Sequence, residues 1–148
     1  MTTQATRMRT RPRLPSGTVR NAAYWASTGF AAVALGATGA ADLLRVPAIM
    51  ESLAHLGYPA YFATILGAWE LLGAAAIVAP HLPRVKEWAY AGMLFTLTGA
   101  ALSHAASGDP VGKVLAPLVL LGAVLVSWML RPVHRTLFST EFARRQAI

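Results

Sequence analysis

Gly67-Ala68-Trp69-Glu70-Leu71-Leu72-Gly73-Ala74 is the stretch on which the fold turns. Glu70 is the only Asp, Glu, Lys or Arg between Gly57 and Ala79, in an apolar run long enough for a helix that crosses a bilayer. A carboxylate at the centre of such a helix costs about 3 kcal/mol or more unless it is protonated, paired or turned toward water. Three- and four-residue steps from Glu70 reach Ala63, Gly67, Gly73 and Ala74, whereas Ile65, Leu72 and Ile77 lie largely elsewhere. The acid thus shares a face with residues that let another helix approach closely. It is expected to point into a bundle, not at lipid.

The rest of the chain agrees with a membrane setting. Of its 148 residues 55% are hydrophobic and 13% charged, and the mean hydropathy is +0.49. An ordinary soluble domain carries roughly 25% charged residues. The length allows one domain. The absence of cysteine excludes disulfides, thiolate nucleophiles and Cys-based metal or iron–sulfur sites. The net charge of +7 comes from basic residues beside apolar blocks, so it reads as membrane topology and not as a nucleic-acid partner.

Four apolar runs are expected to span, at about residues 22–44, 60–79, 88–106 and 114–130. The fold class that follows is all-α, a bundle of four transmembrane helices (22–130) between a basic, disordered N-terminal tail (1–21) and a basic C-terminal tail (131–148). The first run is too long for the apolar core of a signal peptide and is read as an uncleaved span. Tyr24 and Trp25 at its start suit the interface, and Gly29, Ala32, Gly36, Gly39 and Ala40 make one smooth face. Asp42 in its last turn is expected to pair with Arg45. Ala48 to Leu56 reads as a short interfacial helix, and residues 80–87 as a tight polar turn. The third span carries a small, weakly polar stripe of Gly92, Thr96, Gly99 and Ser103, with His104 beside it. The fourth run is short, with Pro117 in its first turn, where proline is tolerated. Gly36, Gly39, Gly67, Gly73, Gly92 and Gly99 are the candidate packing positions. Thr38-Gly39-Ala40-Ala41 and Thr98-Gly99-Ala100-Ala101 echo each other, so two parallel hairpins are conceivable.

Charge sets the orientation. Arg7, Arg9, Arg11, Arg13, Arg20, Arg84, Lys86, Arg131, Arg135, Arg144 and Arg145 fall on one side of a four-span topology, and only Arg45 and Lys113 on the other. Positive-inside then puts both termini in the cytoplasm. Asp42, His104 and Asp109 face outward, with Asp42 and His104 about one turn below the outer surface and Glu70 roughly 15 Å in from it.

Asp42, Glu70 and His104 are the candidate ligand-binding residues. A water-filled outer cavity would connect them. Protonated Glu70 can donate a hydrogen bond to a carbonyl, which suits a quinone headgroup, with His104 as a second donor or acceptor. The plainer alternative has Glu70 bonded to a carbonyl or a Thr of a neighbouring helix, fixing register. No His-x-x-x-His or Glu-x-x-His spacing supports a metal site, and no Gly-rich loop followed by Lys-Ser/Thr supports a phosphate site.

The run Leu56-Gly57-Tyr58-Pro59, then Gly67 to Ala74, Pro80-His81-Leu82-Pro83, Gly99-Ala100 with His104, and Gly108-Asp109-Pro110 resembles the DoxX-like family of small bacterial membrane proteins, over roughly residues 24 to 130. The resemblance implies a four-helix membrane bundle and marks Glu70 and His104 as motif positions. Many relatives carry a lysine near the outer end of the first span, where this chain reads Gly39-Ala40-Ala41-Asp42-Leu43-Leu44-Arg45. The family name comes from a subunit linked to thiosulfate:quinone oxidoreduction. The expected function is therefore an accessory subunit of a quinone-linked redox or stress-related complex in a bacterial inner membrane. It is not expected to be catalytic alone, because the chain supplies no thiol, haem ligand pair or flavin fingerprint. The alternatives are a non-catalytic scaffold that binds another membrane protein, and a small-solute transporter.

Overall fold

A computed structural model describes residues 17–132. The tail expectations for 1–16 and 133–148, with Arg135, Arg144 and Arg145, lie outside the described residues. Those residues form five helices and no strand: α1 (Gly17–Leu43), α2 (Pro47–His55), α3 (Tyr61–Val78), α4 (Pro83–Ala106) and α5 (Val111–Leu130). α3 and α5 are each long and apolar enough to cross a membrane. α1 reaches that standard only together with α2, across a bend of 86°. α4 does not reach it, because its small and polar stripe dilutes its apolar content.

Three boundaries differ from the sequence expectation. Helix α1 starts at Gly17, so the end of the expected tail is helical. The turn before α4 ends at Leu82, because Pro83 occupies the first helical turn, where its missing N–H costs nothing. α5 starts at Val111, which makes Pro117 an interior proline instead of a first-turn one.

Contacts run α1–α3, α3–α4, α4–α5 and α5–α1, so the four long helices close a ring, with the α3–α4 side the most loosely packed. The core comprises Ala31 and Leu35, Ala74 and Ile77, Tyr90, Met93 and Leu97, and Leu121 and Val124. Ile77 is wholly buried, contrary to the expectation that it lies off the Glu70 face, since two helical turns bring it back onto that face. Tyr24 is wholly buried too, and is no interfacial anchor; Trp25 beside it is exposed. A buried hydroxyl network explains the tyrosine-rich end: Tyr90 Oη lies 2.8 Å from Ser127 Oγ, which lies 2.6 Å from Thr28 Oγ1, whose hydrogen bond to the Tyr24 carbonyl is 2.7 Å. This core fills the end of the ring away from α2. The α2 end is hollow.

Of the expected packing glycines, Gly39 and Gly67 sit at a true crossing. A Cβ on Gly67 would lie 2.6 Å from the Gly39 carbonyl oxygen, and one on Gly39 would lie 2.9 Å from that of Gly67. A Cβ on Gly73 would meet the end of Met93 at 3.0 Å. Gly36, Gly92 and Gly99 differ: each has open space where a side chain would begin. The buried stripe of α4 is Lys86, Tyr90, Met93, Leu97 and Ala101, so its glycines border space instead of a neighbour.

Candidate functional site

Three helix ends shape the α2 end of the molecule by one device. α2 ends with Gly57 at φ +82° and α4 with Gly108 at φ +71°, left-handed positions that glycine adopts without strain. In each, two backbone bonds close the helix: Tyr58 N–H to Leu53 O and Gly57 N–H to Ala54 O, Asp109 N–H to His104 O and Gly108 N–H to Ala105 O. α1 closes in the same way through Arg45, a non-glycine at φ +52°. Arg45 thus meets Asp42 only through the main chain, its N–H bonding the Asp42 carbonyl at 3.1 Å. The expected Asp42–Arg45 ion pair is not among the ion pairs of the described residues.

The second of these caps joins side chains as well. The residues it pairs usually touch through apolar groups; here they are His104 and Asp109. His104 Nδ1 lies 2.8 Å from Asp109 Oδ2. Lys113 Nζ donates to Asp109 Oδ1 at 3.0 Å, and His55 Nε2 of α2 lies 3.3 Å from Oδ2. Asp109 gathers α2, α4 and α5 onto one carboxylate. The His104 bond first, then the Lys113 bond, hold that carboxyl down at about 2. Unfolded, it titrates near 3.8. The stabilisation is therefore complete above about pH 4 and is lost as pH falls through about 2. Amide protection in the α4–α5 turn, corrected for the intrinsic exchange rate at each pH, should stay flat from neutrality to about pH 4 and fall below it, and Asp109→Asn should show the low protection at every pH.

Asp42, Glu70 and His104 line one cavity of about 360 Å³ at the α2 end. Thr38, Ser52, Tyr58 and Ser103 add hydroxyls to its wall. Asp42 is almost fully buried at the α1–α3 crossing, and no ion pair joins it among the described residues. Thr38 Oγ1–H donates to Glu70 Oε2 at 2.6 Å, and Glu70 Oε1 has no protein partner among the described residues. Thr38 Oγ1 also lies 3.1 Å from the Ala34 carbonyl. Protonated on Oε1, Glu70 accepts from Thr38 at Oε2 and can donate from Oε1 into the cavity; the ionised form accepts from Thr38 in the same way. Either state keeps one carboxyl oxygen open to the cavity.

His104 Nδ1 is committed to Asp109, which leaves Nε2 as the nitrogen available to a ligand. Tyr58 Oη lies 2.7 Å from Ser103 Oγ and ties the α2–α3 connection to α4. Among the described residues no group of His, Asp and Glu fits a metal ion. The arrangement suits a compact polar ligand with hydrogen-bond acceptors.

Sequence reasoning missed Thr38 and the His55–Asp109–Lys113 cluster. Thr38 stands one helical turn before Asp42, which is the signal that placed it on the cavity face. His104 and Asp109 stand five apart with Gly108 between, the spacing of the cap that joins them. The Thr98 of the echoed motif bonds only its own helix, at the Leu94 and Phe95 carbonyls, so the two motifs do different work.

A model of the DoxX-like family matches residues 26–127, which takes in every cavity residue named above. The chain belongs to the DoxX-like family. Its apolar helices make this DoxX-like protein a multi-pass membrane protein, with a lipid bilayer as its surroundings. Comparison with curated proteins and with solved structures returned no match.

Proposed function

We propose that this DoxX-like protein crosses a bacterial inner membrane four times, through a 22–130 membrane domain with both termini cytoplasmic, and serves as an accessory subunit of a quinone-linked redox or stress-related complex. Asp42, Glu70 and His104 are its ligand-binding residues. The observation that carries this reading is their convergence on one cavity from three helices, with Glu70 Oε1 and His104 Nε2 left without protein partners among the described residues. A carbonyl-bearing ring matches two such groups. Protonated Glu70 donates to a carbonyl oxygen, and His104 Nε2 either donates to a second carbonyl or accepts from a ring hydroxyl. The orientation rests on the eleven-to-two division of basic residues, and a reporter fused to the C-terminus should read cytoplasmic.

Extraction in mild detergent should retain a quinone with the full-length protein. Glu70→Leu should weaken binding of an added benzoquinone by about ten- to a hundredfold, the cost of leaving a buried ligand oxygen without its donor, and Glu70→Gln by less, since its amide still donates. Wild-type protein that binds no quinone, together with full complementation of a deletion strain by Glu70→Leu, overturns the reading. In that case the open faces at Gly29 and Gly36 of α1 favour a scaffold that receives a helix of another membrane protein.

A further inference from the structure

A second cavity, of about 390 Å³, lies between α3 and α4. It shares Phe62, Leu66, Glu70 and Thr96 with the polar cavity, so the two adjoin at Glu70. Apart from Glu70 and Thr96, both at that junction, its walls are aliphatic, aromatic or glycine. Along α3 it runs from Phe62 to Ala76, a rise of roughly 21 Å, and ends beside Val85 and Trp88. Its rims are Trp69, Leu72 and Trp88, at 68%, 60% and 76% exposure, so it opens sideways. In a bilayer that side is lipid. The polar cavity, by contrast, is walled on the other side by Ile49, Ser52, Leu53 and Leu56, from α2 and the residue that follows it.

We infer that the ligand is a single amphipathic, membrane-dissolved molecule, its polar ring in the α2-end cavity and its hydrocarbon chain in the α3–α4 groove, and that it enters from the bilayer between those helices. This rests on the ring-binding reading above and adds to it a chain site and a route. Three features carry it: the shared wall at Glu70, the contrast between the hydroxyl-lined cavity and the apolar groove beside it, and the lateral mouth. The loose α3–α4 packing and the open glycine stripe on α4 have their physical account here, since Gly92 borders the groove and meets no atom within 4 Å of a would-be Cβ.

Gly92→Leu projects a side chain into the groove from a position whose Cβ would meet no atom within 4 Å, and Gly122→Leu, equally open at Cβ on α5, is the control. The full-length protein in phosphatidylcholine nanodiscs is exposed to a benzoquinone whose decyl chain ends in a photoreactive diazirine. Adducts should concentrate on α3 and α4 residues of the groove, be displaced by an excess of the same ring without a chain, and be lost in Gly92→Leu but not in Gly122→Leu. Binding of the chainless ring should be unchanged in both variants. Adducts spread over the exposed faces of α1 and α5, or groove adducts that survive Gly92→Leu, overturn the inference and leave the ring site standing if the chainless ring still binds. Failure of that ring to bind the wild type overturns the reading beneath it. A wild-type dimer that Gly92→Leu dissociates overturns the inference by making a second copy the occupant of the groove.

Discussion

Gly67→Ala should destabilise the protein by about 1–3 kcal/mol, and Gly67→Leu should prevent it from reaching its native packing. The new Cβ would lie 2.6 Å from a backbone carbonyl and 2.8 Å from the Asp42 Cβ, so no rotamer change relieves the contact and the helices must separate. Separation also lengthens the Thr38–Glu70 bond one turn away. Thermal unfolding in detergent reads the first effect, and loss of quinone binding beyond that of other equally destabilised variants reads the second. Gly36→Ala is the contrast. Nothing stands near its Cβ, and removing glycine from a helix interior should raise stability by about 0.5–1 kcal/mol. Equal behaviour of the two alanine variants would mean that α1 and α3 do not cross here.

Lys86→Met should cost about 2–4 kcal/mol although it preserves most of the side chain's volume. Helix α3 ends one residue before Ala79-Pro80, and Pro80 has no N–H to turn back onto its last carbonyls. Lys86, reaching over from the first turn of α4 and almost wholly buried, supplies the donor instead: its ammonium bonds the Ala76 carbonyl at 2.9 Å and the Ile77 carbonyl more closely. A cation at a helix C-terminus also meets the negative end of the macrodipole. Methionine keeps the apolar stem and deletes the donor, leaving two carbonyls without it. Arg84→Ala, exposed on the same turn, should change stability by less than about 0.5 kcal/mol. A thermal midpoint for Lys86→Met equal to that of Arg84→Ala would refute the capping role. In the sequence Lys86 reads as one of two basic residues in a polar turn; the fold buries it.

The same end shows how far a charge count reaches. Arg131 was assigned to the C-terminal tail, yet it is buried against Tyr90, its guanidinium bonded to Glu87, which also accepts from Trp128 Nε1 at 3.0 Å. Counting basic residues by loop says which end of the helices they occupy. It does not say whether they meet lipid headgroups or helix ends.

Local chemistry in the sequence determined a good deal about this protein. Runs of apolar residues and the breakers between them located α1, α3, α4 and α5 to within a few residues, and Pro47 with Gly57 located α2, because proline and glycine act on their own backbone. The placement of Glu70 on the small face of α3 followed from the 3.6-residue repeat alone, and Ala63, Gly67, Gly73 and Ala74 are all buried. Only the tertiary structure decided which partner each face met. Gly39 and Gly67 became a crossing while Gly36, Gly92 and Gly99, identical in composition, came to border open space. Helical periodicity gives a residue's direction about its own axis, whereas close approach depends on where a second axis passes. For the same reason Asp42 turned from Arg45 to a cavity wall, and His104 found Asp109 across a helix end. Glu70 acquired Thr38 on one oxygen, and its other oxygen has no protein partner among the described residues.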